Sequence, residues 1–134
     1  ILNKNQNRLD IRIESNLPAV YADPARTSQV IVNLISNAVR FTIDGVITIN
    51  AKRKNEKILV CVSDTGIGIA AEQLPYVFGR YVKTQKSGYT QDTGTGLGLY
   101  ICKYIVEKQG GEIWIESDEG KGTSVFFTLP VADN

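Results

Sequence analysis

Residues 29–42 read QVIVNLISNAVRFT. Val30, Ile31, Leu34, Ile35, Ala38 and Phe41 recur at three- and four-residue spacings, the period of a helix with a wide buried face. Asn33, Asn37 and Arg40 stand at i, i+4 and i+7, so two amides and a guanidinium share one stripe of a largely apolar rod. A solvated back face accounts for such a stripe on any surface helix. A ligand is the other account, because an amide oxygen suits Mg²⁺ and a guanidinium suits phosphate oxygens.

Outward from this helix the pattern changes to period 2. Upstream, Asp23-Pro24 gives a helix start, the carboxylate capping free N–H groups and the proline occupying the first helical position. Before it, Leu9, Ile11 and Ile13 alternate with polar residues as a half-buried strand, and Asn16 and Pro18 turn the chain. Downstream, Asp44-Gly45 marks the helix end, and Ile47, Ile49 and Ala51 form a second alternating strand. Lys54 to Lys57 make a polar turn. Ile58, Val60 and Val62 alternate with Leu59, Cys61 and Ser63, a strand apolar on nearly both sides and therefore expected at the centre of a sheet.

That strand runs into Asp64-Thr65-Gly66-Ile67-Gly68-Ile69. A carboxylate at a strand end, followed by glycines at i+2 and i+4, offers a fixed acceptor beside a backbone that another molecule can approach. A hydrogen-bonding turn explains the same residues. Glu72 to Phe78 reads as a short helical piece. Gly79 to Thr95 is a long polar loop, expected to be mobile whether it serves as a lid or not. Gly94-Thr95-Gly96-Leu97-Gly98-Leu99 then opens a helical pattern through Leu99, Ile101, Cys102, Ile105 and Val106 that stops at Gly110-Gly111. Unpaired N–H groups at a helix start favour an anion. The spacing is neither a dinucleotide fingerprint, which needs a third glycine at Leu99, nor a Walker loop. Ile113 and Ile115, then Val125, Phe127 and Leu129, form a closing antiparallel hairpin.

The expected fold is α+β: a two-layer sandwich with a mixed, mostly antiparallel sheet of about five strands and about three helices on one face. With 134 residues and 43% hydrophobic content the chain fits one domain. Fifteen Lys and Arg balance 14 Asp and Glu, so no global field recruits nucleic acid, and no apolar run is long enough to span a membrane. Cys61 and Cys102 sit in apolar periodic segments and read as reduced thiols, a weak pointer to a reducing compartment. The chain has no histidine. Any chemistry here therefore rests on carboxylates, amides, cations and a bound metal.

Four boxes in order, NLISNAVRFT (33–42), DTGIGI (64–69), VFGRY (77–81) and GTGLGLYI (94–101), with the ending IESDEGKGTSVFFTLP (115–130), resemble the ATP-binding catalytic domain of sensor histidine kinases. That superfamily also holds gyrase, a heat-shock chaperone and mismatch-repair ATPases. The resemblance implies a Bergerat-type fold, with residues 1–134 forming one catalytic and ATP-binding domain of a longer parent and the phospho-acceptor domain absent from this piece. It implies ATP and Mg²⁺ as cofactors, Asn37 as the Mg²⁺ ligand and Asn33 as a second candidate supporting the metal or its waters. Arg40 is implied at the phosphates, where the family usually has lysine. Phe41 lines the base pocket, Asp64 accepts from the adenine amino group, and Gly66, Gly68 and Ile69 complete that wall. Phe78 and Tyr81 anchor the lid, with Arg80 as a phosphate contact. Gly94, Thr95, Gly96, Leu97 and Gly98 supply the lid hinge and a phosphate-facing helix start.

Hydrolysing members of the superfamily are similar in having Glu four residues before the metal Asn, where this chain has Asn33, which takes up no proton at neutral pH. Water is then a poor nucleophile, and an imidazole from elsewhere takes its place. The implied partners are a histidine-bearing dimerisation domain of the same parent, expected as a homodimer, and a downstream response regulator, with no nucleic acid. The domain is expected in the cytoplasm and outside the membrane, under a parent that is either soluble or membrane-anchored. Two other readings stay open at this point: a nucleotide-sensing module without phosphotransfer, and an ATP hydrolase on the same pocket.

Overall fold

The computed structural model describes residues 6–79, 83–84, 88–89 and 95–132. The elements in chain order are β1 (Arg8–Ile13), α1 (Pro24–Phe41), β2 (Val46–Lys54), β3 (Lys57–Asp64), β4 (Lys83–Thr84), β5 (Gly88–Tyr89), α2 (Thr95–Lys108), β6 (Ile113–Asp118) and β7 (Gly122–Pro130). Five strands make one sheet in the order β1-β2-β3-β7-β6, and β4 pairs with β5 in a separate two-stranded ribbon. β1 and β2 are parallel, as a helical crossover between them requires, and the other pairs are antiparallel. β3, the strand apolar on nearly both sides, is indeed the middle one.

α1 begins where Asp23 caps it. The Asp23 carboxylate accepts from the N–H groups of Ala25 and Arg26, at 2.9 and 3.3 Å, with Pro24 in the first turn. The helix ends at Phe41, because Thr42 turns to extended backbone and Asp44 takes a positive φ of 53°. α1 lies over β2 and β3, α2 lies over β6 and β7, and the two helices pack on each other. Val30, Leu34 and Ala38 of α1 and Leu99, Cys102, Ile105 and Val106 of α2 close the core against Ile47, Val60, Val62, Val125, Phe127 and Leu129 of the sheet. Ile31 and Ile35 pack at its margin. The opposite face of the sheet is more open. There Trp114 stacks on Phe126 with centroids 5.3 Å apart, and the Cys61 thiol, Ser63 hydroxyl and Ser124 hydroxyl form a chain at 3.2 and 2.8 Å.

Two expectations need correction. The described residues contain two α-helices, not three, since 72–78 forms only a 3₁₀ turn at Leu74–Tyr76. Its hydrogen bonds run three residues back, from Tyr76 to Gln73 and from Val77 to Leu74, and Pro75 has no N–H to donate to a helical ladder. Ile101, included in the apolar pattern of α2, faces outward at 36% exposure while Cys102 takes the buried position. The thiols are both free, with Cys102 buried and Cys61 half-buried. No helix among the described residues is long and apolar enough to cross a membrane.

Candidate functional site

The C-terminal half of α1 carries the site's two centres. Asn37 and Phe41 are one helical turn apart, about 6 Å along the axis. The first meets α2, and the second meets the loop after β3.

Asp64 ends β3, half-buried. Its Oδ1 accepts from the backbone N–H of Gly66 at 2.9 Å and of Thr123 at 3.3 Å. Thr123 is the residue opposite Asp64 in the β3–β7 register. Burial raises the Asp64 pKa, while the Gly66 and Thr123 N–H groups and the Thr42 hydroxyl oppose that shift by favouring the ionised form. The result is a carboxylate with one oxygen fixed by backbone donors, the geometry of an acceptor for an incoming N–H.

The loop after Asp64 is tied on three sides. The Ile67 N–H donates to the Phe41 carbonyl at 3.1 Å, and a Cβ at Gly66 would be driven into that same carbonyl and into Thr42 Oγ1, so a side chain there is excluded. The Thr65 N–H donates to the Val46 carbonyl, and the Thr65 hydroxyl accepts from the Val46 N–H at 3.0 Å. On the β6–β7 side, the Gly120 N–H donates to the Ile67 carbonyl at 2.6 Å and the Ile69 N–H donates to Ser117 Oγ at 2.8 Å. Ser117 in turn donates to the Gly122 carbonyl at 2.9 Å. Gly68 and Ile69 therefore lie against the closing hairpin, with Ile69 packed at the margin of the core.

At the other centre, Asn37 faces α2. A Cβ at Gly98 would lie 3.7 Å from Asn37 Nδ2, an atom that is buried and has no hydrogen-bond partner. A half-turn of the amide exchanges its nitrogen and oxygen, so this group fits a cation as well as a donor partner. No cluster of three or more His, Cys, Asp or Glu side chains exists among the described residues. Asn33, one turn earlier, is half-buried beside the Cys102 thiol, which donates to the Val30 carbonyl at 3.8 Å and whose pKa burial pushes up to about 11. Arg40 is exposed on the same stripe. Phe78 packs at the core margin, and the Lys103 ammonium lies 5.7 Å from its ring centroid.

Thr95, Gly96 and Leu97 form the first turn of α2 with Gly98, so the glycine-rich box does open a helix, and it does so beside Asn37. Arg80, Tyr81 and Gly94 lie outside the described residues. The fold thus brings together the first, second and fourth boxes. The sequence reading missed Thr42, Asn7, Ser117 and Thr123. Thr42 and Ser117 lay inside quoted boxes but bore no role without a partner in space, and Thr123 becomes visible only through strand register.

A sandwich of this topology, with an acceptor carboxylate at the end of the central strand and a buried amide facing a glycine-rich helix start, defines an ATPase-type nucleotide fold. The chain belongs to the family of histidine kinase-, DNA gyrase B- and HSP90-like ATPases, whose model matches residues 22–133. Within it, the catalytic domain of the histidine kinase ThkA in a nucleotide-free form is 30% identical with a TM-score of 0.81, over 98% of this chain and 85% of that one. The adaptive-response sensory kinase SasA of Synechococcus elongatus is 40% identical over 128 residues, 94% of this chain and 33% of the relative. Full-length ShkA in complex with AMPPNP is 26% identical, with a TM-score of 0.82 over 99% of this chain and 28% of that one. The chain spans about a third of the length of the curated relatives it matches. It is a catalytic domain of the sensor-histidine-kinase type.

Proposed function

We propose that this domain binds Mg-ATP and passes the γ-phosphoryl group to a histidine on the dimerisation domain of the same parent protein. The observation that carries this reading is Asp64: a half-buried carboxylate with Oδ1 held by two backbone N–H groups and a glycine beside it leaves its remaining acceptor capacity for an adenine amino group. ShkA, which has the same fold, was crystallised with an ATP analogue, and this supports placing a nucleotide here.

In this reading Asn37 holds the metal, with Asn33 supporting it or its waters, and Arg40 and Arg80 meet the phosphates. When bound, Mg²⁺ neutralises charge on the triphosphate. The first turn of α2, Thr95 to Gly98, faces its free N–H groups toward the phosphates. Phe41, Gly66, Gly68 and Ile69 wall the base, and Phe78 and Tyr81 anchor the lid that Gly94 and Gly96 hinge. Asn33 has no proton-accepting role, because an amide takes up no proton at neutral pH. The domain therefore positions the γ-phosphoryl group without activating water, and the nucleophile arrives as an imidazole. The whole of 1–134 acts as that one domain, in a cytoplasmic setting, within a homodimeric parent that hands the phosphoryl group to a response regulator. Nucleic acid plays no part.

The test is transfer of label from γ-labelled ATP to a supplied cognate histidine hairpin. Acid-labile label on the hairpin is the expected result. ATP-dependent docking with no label would favour the sensing module, and rapid phosphate release without the hairpin would favour the hydrolase.

A further inference from the structure

β1 (Arg8–Ile13) is an edge of the sheet, and its sequence RLDIRI sorts the side chains by face. Register puts Leu9 beside Ile47, Ile11 beside Ile49 and Ile13 beside Ala51, on the side the helices cover, and leaves Arg8, Asp10 and Arg12 on the other. α1 lies over β2 and β3, so the cover stops short of the edge. Ile11 stays 61% exposed and Ile13 52%.

The main chain of the same strand is open. The Arg8 N–H donates to the Gly45 carbonyl and the Glu14 N–H to the Ala51 carbonyl, each at 2.9 Å. Even-numbered residues therefore turn their N–H and C=O toward β2, and Leu9, Ile11 and Ile13 turn theirs to the open side. Among the described residues no strand lies beyond them. β1 has no proline and its register runs unbroken, so it lacks two of the devices that commonly blunt an edge. The opposite edge, β6, differs: its charged residues are Glu116 and Asp118, and a second copy laid against it meets like charge.

On β1 a second copy meets opposite charge. In an antiparallel pairing with its two-fold axis at Ile11, Ile11 faces Ile11 and Leu9 faces Ile13, each pair exchanging main-chain hydrogen bonds through the groups that point outward. On the other face Asp10 then stands opposite Arg12, and Arg8 opposite Glu14. Sliding the pairing by two residues one way sets Asp10 against Asp10 and Arg8 against Arg12. Sliding it the other way sets Arg12 against Arg12 and Asp10 against Glu14. Both alternatives join like charges, which are destabilising when directly opposed. Within one copy Asp10 lies 3.4 Å from Arg8 and 3.8 Å from Arg12, both arginines mostly exposed. Glu14 Oε1 accepts from the Arg53 N–H at 2.9 Å, which fixes that carboxylate and leaves its other oxygen for a guanidinium.

We infer that β1 is a self-association edge, through which two copies of this chain pair antiparallel about Ile11. The pairing joins two five-stranded sheets into one and covers Ile11 and Ile13 of both copies between them. It does not rest on the nucleotide reading. One strand pair is a small interface, at the weak end of specific association, so the dimer forms at high chain concentration.

Sedimentation equilibrium of the native chain, at concentrations up to about 1 mM, tests this, and reversible dimerisation is the expected result. Asp10→Arg and Arg12→Asp each put like charges opposite one another on both sides of the axis, and each variant alone is expected to associate about tenfold more weakly or less. An equal mixture of the two is expected to regain the native association, because both positions of the mixed dimer again hold opposite charges. Ion pairs within one chain cannot produce that recovery. Ile11→Lys, which brings two ammonium groups face to face on the axis, is the second variant and is expected to be monomeric. A native chain that stays monomeric to about 1 mM overturns the inference. A mixture that associates no better than its components overturns the register and the inference with it, and Ile11→Lys associating as the native chain does places the interface away from β1.

Discussion

Asn37 and Gly98 meet across the interface of the two helices, where a Cβ at residue 98 would stand 3.7 Å from an amide nitrogen that is buried and unpaired. An unsatisfied buried amide is unfavourable by roughly 1–3 kcal/mol, so its presence beside a helix start points to a ligand. Asn37→Ala removes the group and its unpaired atoms together. Its unfolding free energy is expected to stay within about 1 kcal/mol of the parent, while the strengthening of ATP binding by Mg²⁺ disappears. Urea melts and paired titrations with and without the metal measure the two effects. Retention of the metal-dependent increment would remove Asn37 from the cation site.

Asp64 has opposite effects on folding and on binding. Its pKa is raised in the folded chain, chiefly by burial, so folding favours the protonated carboxyl. That contribution is complete below the ordinary carboxylate pKa of about 4 and is lost as pH rises through the raised value. Asp64→Asn, neutral at every pH and still able to accept from Gly66 and Thr123, is expected to be at least as stable as the parent at neutral pH, with its relative gain vanishing in acid. Nucleotide binding by the parent weakens as pH falls through the same window, because the ionised carboxylate is the better acceptor, and the variant binds weakly throughout. Thermal melts at two pH values and a pH series of titrations check both signs. An Asn variant that is the less stable protein at neutral pH contradicts this account.

Asn7 serves stability directly. Asn7→Ala leaves the Thr42 carbonyl and the Gly45 N–H without their partner inside the protein, and the expected loss is about 2–4 kcal/mol, two orphaned buried groups. Chemical denaturation measures it. A loss under about 0.5 kcal/mol, the scale of an ordinary surface change, would mean the turn closes without the clamp.

Asn33→Glu introduces the carboxylate that hydrolysing relatives in the superfamily place at this position. The side chain is half-buried beside the Cys102 thiol, so the new group is desolvated and its pKa is raised toward that of a useful base. Basal phosphate release from ATP is expected to rise by about tenfold or more, short of the roughly 10²- to 10⁴-fold that a well-placed general base contributes. Phosphate detection on the isolated chain reads this out. Unchanged release in a variant that still binds ATP would show that Asn33 does not face the γ-phosphate.

The sequence by itself determined the elements and the class of chemistry. Period 2 and period 3.6 are local consequences of which faces must leave water, so α1, β2, β3, β6 and β7 were legible from the side chains that alternate or recur, whereas β1 forms a strand but is not half-buried as its alternation suggested, because Ile11 and Ile13 at the sheet edge stay 61% and 52% exposed. Asp23-Pro24 fixed the start of α1 for an equally local reason, and the missing histidine confined the chemistry to groups that accept, chelate or neutralise. The short helical piece at 72–78 shrinks to a 3₁₀ turn at Leu74–Tyr76 because Pro75 has no N–H to donate to a helical ladder. Ile101 was misplaced because its spacing fits either flank of the buried stripe of α2, and only packing against α1 selects Cys102 instead.

The tertiary structure alone decided which groups meet. Strand order puts β7 beside β3, and register then sets Thr123 opposite Asp64. Asn7 reaches Thr42 across 35 residues of chain and Gly45 across 38. Asn37 comes to face Gly98 because two helices cover the same side of one sheet. Hydrogen bonds and desolvation act over a few ångströms in space, whereas sequence patterns record only the neighbours along the chain, so the Asn7 clamp on the turn after α1 had no local signature to read.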